Sequence, residues 1–105
     1  MGSIQYDFLI KNYPQILSTL EIEISNSLNA GNSLCSFEMY QYIITNNGPL
    51  ANQLFLAINK FKNPQMNPKS FIGAVASIMA SQGKIKHVGS KKSPKTNKNE
   101  ECWIK

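Results

Sequence analysis

Residues 67–89 read Asn-Pro-Lys-Ser-Phe-Ile-Gly-Ala-Val-Ala-Ser-Ile-Met-Ala-Ser-Gln-Gly-Lys-Ile-Lys-His-Val-Gly, and a change of period inside this stretch decides the fold class. Asn67 is a natural N-cap and Pro68 suits a first helical position, where a missing N–H costs nothing. Phe71, Ile72, Val75, Ala76 and Met79 then recur at helical spacing. The pattern predicts a helix over 68–82 with those five side chains buried and Gly83 closing it. From Lys84 to Gly89 the chain alternates polar and apolar residues, which predicts a half-buried strand.

Downstream, Ser90 to Asn99 holds lysines, Pro94 and no apolar residue, and Glu100 to Lys105 supports a returning strand. On that strand Cys102 and Ile104 would face one way and Glu101, Trp103 and Lys105 the other. Upstream, Pro14 breaks the apolar mixture of residues 4–13 and opens a new helix. Ile16, Leu17, Leu20, Ile24 and Leu28 form its stripe, which predicts a helix over about 14–29 with Gly31 just beyond. Asn32 or Ser33 would cap the next helix, with Glu38 in its first turn, Leu34, Phe37, Tyr40, Ile43 and Ile44 on its apolar side, and Asn47-Gly48-Pro49 as its stop. Leu50 to Phe61 predicts another helix, ended by Pro64. The expected class is mainly α with a C-terminal β-hairpin.

At 105 residues the chain has room for one domain over 1–105, and 42 % hydrophobic residues suffice for its core. No apolar run approaches the ~20 residues needed to span a bilayer, and the first residues lack a secretory pattern. Cys35 and Cys102 have no ligand-spaced Cys or His around them. They are expected to be free, partly buried thiols suited to the reducing cytoplasm, a disulfide between them requiring a fold that brings them together.

Charge is strongly uneven. The net charge of +5 divides into −3 over residues 1–59, +9 over 60–98 and −1 over the last seven. Lys60, Lys62, Lys69, Lys84, Lys86, Lys91, Lys92, Lys95 and Lys98 share a stretch without a single carboxylate. Such a stretch cannot neutralise itself, and a clustered basic run is the electrostatic footprint of a nucleic-acid or other polyanion binder.

The order of elements in residues 33–105 resembles a winged-helix domain, the helix-turn-helix variant with a terminal hairpin. Asn47-Gly48-Pro49-Leu50, the short helix to Phe61, and a last helix running into Gly83-Lys84-Ile85 carry the resemblance, with Ile72, Ala76 and Met79 on the inward side. Val88 to Lys98 followed by Cys102-Trp103-Ile104 looks like the wing, residues 84–105, of small phage and mobile-element regulators. The resemblance implies a winged helix-turn-helix with an added N-terminal helix in residues 1–31, and a DNA-binding role in transcription regulation. Duplex DNA is the implied partner.

The expected contacts are with phosphates. Lys69 and Ser70 lie at the start of the last helix, where N–H groups and the helix dipole favour anions. Ser77 follows on its outer side, with Gly73 and Ala74 also assigned outward. Lys84, Lys86, His87, Lys91, Lys92, Lys95 and Lys98 lie on the wing, where each neutralised phosphate would release a counterion. The chain contains no arginine and the outward helix residues are short, so bidentate reading of guanine is not expected from it.

No catalytic group, metal site or cofactor is expected. His87 is the only histidine, and the carboxylate pairs Glu21/Glu23 and Glu100/Glu101 do not converge. The alternative is a protein-interaction module, an inhibitor or adaptor on the same scaffold. The stripe of the 14–29 helix would either enlarge the core or pair two copies as a homodimer.

Overall fold

The computed structural model describes residues 4–29, 31–61, 68–92 and 99–105. Among the described residues five helices and three short strands follow one another as α1 (Ile4–Asn12), α2 (Pro14–Ser27), β1 (Leu34–Cys35), α3 (Ser36–Asn46), α4 (Gly48–Phe61), α5 (Pro68–Ser81), β2 (Lys86–Lys92) and β3 (Asn99–Ile104). The mainly helical class with a C-terminal hairpin is thus observed.

Helix α5 is the central element, in contact with α1, α2, α3, α4 and both hairpin strands. Phe71, Ile72, Val75, Ala76 and Met79 are all buried, as their spacing predicts. Gly83 adopts φ +79°, and beside it Lys84 N–H donates to Met79 O at 3.0 Å while Gly83 N–H donates to Ala80 O at 3.1 Å. A left-handed residue that closes the last carbonyls is how glycine ends a helix.

Two helices, rather than one, precede β1. Residues 4–12 form α1, with Leu9 buried and Tyr13 N–H bonded to Leu9 O at 2.7 Å. Pro14 then occupies the start of α2, which ends at Ser27 instead of residue 29. The stripe Leu17, Leu20, Ile24 and Leu28 is buried in the same apolar cluster as Leu9, Phe71 and Trp103, so α2 spends it inside the chain. Phe8 meets Phe71 edge-on, with ring centroids 6.3 Å apart.

Helix α3 begins later than Asn32 or Ser33 capping would place it. Leu34 and Cys35 are drawn into a strand, and the cap falls at Cys35, whose N–H donates to Glu38 Oε1 at 3.0 Å. At the next junction Asn47 alone breaks the helical run. Its side-chain oxygen accepts the Leu50 N–H at 3.2 Å, so Gly48 and Pro49 belong to the first turn of α4.

The hairpin expectation becomes a three-stranded antiparallel sheet in the order β1-β3-β2. Two residues of β1 are too few to leave a periodic signal. Between His87 and Gly89 the register slips, which makes Val88 a bulge, and Gly89 takes φ +102°. Cys102 and Trp103 are both buried despite pointing to opposite faces. One meets Cys35 across the sheet; the other packs its indole toward Gly73 of α5.

Cys35 and Cys102 form a disulfide, with Cα atoms 4.0 Å apart on directly opposed positions of β1 and β3. The expectation of free thiols is therefore corrected. Sequence separation of 67 residues hides a pairing that only the antiparallel register produces.

Candidate nucleic-acid interface

Strand β2 places its side chains at the edge of the sheet, where every residue except the partly covered Gly89 is exposed. Lys86, His87, Lys91 and Lys92 come together on this one strand. Its seven residues span about 20 Å at the usual strand rise, so the cations form a row rather than a compact patch. Opposed partners share a face. Lys86 lies across from Ile104 and Lys91 across from Glu100, whereas His87, Ser90 and Lys92 lie across from Trp103, Glu101 and Asn99.

The remaining lysines behave differently from a bare +9 stretch. Lys69 Nζ lies 3.6 Å from Glu100 Oε1, and Lys84 Nζ lies 3.8 Å from Glu21 Oε2. Both carboxylates come from outside residues 60–98, so the fold supplies counter-charges that the local sequence lacks. Lys91 Nζ donates to Ser33 Oγ at 3.3 Å, and Lys60 Nζ sits 5.7 Å from the centroid of the Tyr13 ring. Among the described residues no carboxylate pairs with Lys86 or Lys92. Lys62, Lys95 and Lys98 lie outside the described residues.

Helix α5 presents little surface. Within it only Ser77 and Ser81 are exposed; Lys69, Ser70 and Ala74 are half-covered. Gly73, assigned outward from the sequence, turns toward its neighbours: a Cβ there would stand 3.1 Å from Ser36 Oγ and 3.9 Å from the Trp103 ring. At the start of α5 the anion nearest Lys69 is the chain's own Glu100.

Glu100 is the polar residue that sequence reasoning missed. It is buried, accepts the Phe37 N–H at 3.3 Å and faces Lys69, joining the N-termini of α3 and α5 to β3. A buried carboxylate persists only with such partners. The signal available was Cys35-x-x-Glu38, a capping spacing that shifts the helix start to residue 36 and implies a contact for its open N–H groups.

Ser77 and His87, both predicted site residues, line a cleft of about 470 Å³ between α5 and the hairpin, with Ala80, Ser81, Glu101 and Trp103 as the other walls. His87 Nε2 and Glu101 Oε2 stand 2.5 Å apart at its rim. The indole Nε1–H of Trp103 has no hydrogen-bond partner among the described residues. Among those residues no group of three or more His, Cys, Asp or Glu is positioned to hold a metal ion, and no helix is long and apolar enough to cross a membrane. The chain matches no protein-family model, and neither curated proteins nor solved structures include one significantly similar to it.

Proposed function

We propose that this chain binds the phosphate backbone of duplex DNA through the edge of its hairpin, as a winged-helix-type regulator or accessory factor of a phage or mobile element. The observation that carries the reading is the open edge strand β2, with Lys86, Lys91 and Lys92 exposed along it; Lys95 and Lys98 follow in the sequence. Three exposed ammonium groups spread over about 20 Å of an edge strand can reach several phosphates of a duplex, and neutralised phosphates release counterions. The covered face of α5 and the lack of arginine favour contact with the backbone over reading of base edges. The host process rests on the resemblance of residues 33–105 alone.

Fluorescence anisotropy with a labelled duplex at two salt concentrations tests the proposal. Binding should weaken steeply with salt and change little with sequence. Replacing Lys86, Lys91 and Lys92 with Gln should flatten the slope of log K against log salt by about 2 to 3, near 0.9 per lost phosphate contact. No binding at low salt overturns the reading.

In that event a protein-interaction module takes its place. Phe55 and Leu56 on α4 and Ile44 on α3 are exposed large apolar side chains that the hairpin reading leaves unused.

A further inference from the structure

Three elements meet at the Cys35–Cys102 bond. Cys35 ends β1 and caps α3, and its own N–H is held by Glu38. Cys102 lies on β3, two residues beyond the buried Glu100 that takes the Phe37 N–H and faces Lys69 at the start of α5. The bond is thus the covalent tie between the lysine-bearing hairpin and the helical body. Without it, β1 holds to β3 through only two residue pairs, Leu34 with Trp103 and Cys35 with Cys102. So short an edge strand is marginal by itself.

We propose that Cys35–Cys102 is a redox latch: oxidised, it fixes the hairpin against the helical body, and reduction by a small thiol releases β1 and weakens binding to duplex DNA. The binding half rests on the DNA reading above; the structural half does not.

The chemistry balances with a low-molecular-weight thiol as reductant. A thiolate attacks one sulfur, forming a mixed disulfide and expelling the other cysteine as a thiolate that takes up a proton. A second reductant thiol then displaces the first, leaving Cys35 and Cys102 as thiols and the reductant as its disulfide; two electrons and two protons enter the protein. Both cysteines are buried, at 0 % and 2 % exposure, so the reductant reaches them when β1 peels away. Gly31 and Asn32 just before it are exposed, and Gly31 turns the chain with φ +85°.

The test uses the whole chain, oxidised and then reduced with dithiothreitol, each checked by circular dichroism for retained helix. Amide hydrogen exchange at Leu34 should quicken by about tenfold or more on reduction, while α2 and α5 keep their protection. Duplex affinity by anisotropy should fall about fivefold, the cost of re-ordering a loosened contact surface. A Cys35→Ser, Cys102→Ser variant should reproduce both results in the absence of reductant. Unchanged exchange at β1 overturns the latch whatever the binding does. Faster exchange with unchanged affinity overturns its link to DNA, and loss of the whole helical signal on reduction would make the bond a general staple instead. If neither form binds duplex, the DNA reading fails and exchange alone decides whether the latch exists.

Discussion

Trp103 concentrates more packing than any other side chain in the hairpin, because it is 1 % exposed on a strand that alternates elsewhere with solvent. Truncating it to Ala should cost about 3 to 5 kcal/mol through lost burial and a cavity beneath α5, read as a lower urea midpoint. Glu100 is the corresponding polar anchor. Its removal as Glu100→Ala should cost about 2 kcal/mol, since the Phe37 N–H loses its acceptor while Lys69, a third exposed, recovers water. Gly83 is a backbone case. A Cβ there meets no atom within 4 Å, yet φ +79° disfavours it, so Gly83→Ala should destabilise by about 1 kcal/mol in the same unfolding assay.

The disulfide closes 67 residues of sequence, and its main effect belongs to the elements it joins. In the chain-entropy account a loop of that length is worth about 4 kcal/mol, so reduction should lower the denaturant midpoint by that equivalent. The helical elements were largely legible in the sequence. Pro68 and Gly83 bracket α5, Pro14 opens α2, and the stripes of these two helices kept their period, whereas on α3 Ile44 is exposed and Met39 is buried in its stead. The misses share one physical origin, a long-range partner overriding a local signal. Leu34 and Cys35 leave the helix because β3 takes them, and Gly73 turns inward because Ser36 and the Trp103 ring approach it. Of the candidate site, the lysines of β2 were visible as a charge run. The carboxylates that meet Lys69 and Lys84 were not, since Glu100 and Glu21 lie 31 and 63 positions away along the chain.

For the molecule as a whole, the balance of charge depends on folding. Glu21 on α2 reaches Lys84 at the foot of the hairpin and would offset part of its field toward the proposed polyanion. Glu21→Gln should therefore tighten duplex binding by about twofold at low salt, with the gain shrinking as salt rises, because half-exposed pairs of this kind are weak and screened. The anisotropy titration that compares Lys86, Lys91 and Lys92 with their Gln replacements also reads this change. Residues 4–29 contribute Leu9, Leu17, Leu20, Ile24 and Leu28 to the apolar cluster that contains Phe71. Removing them would strip α5 on one side, so the reading of residues 33–105 as a winged-helix unit carries no expectation that this portion folds alone.

The kink at Val88 and the ammonium groups around it have a second consequence, for how copies of this protein behave in solution. An unpaired strand is an invitation for another chain to add to the sheet, and a bulge flanked by repelling cations withdraws it. Alanine in place of Lys86, Lys91 and Lys92 would strip that guard along with the proposed phosphate contacts and leave Val88, half exposed, as a sticky seam. Sedimentation of such a variant should show self-association, and because glutamine also removes the charge, the Gln variant should pass the same check before its DNA affinity is read.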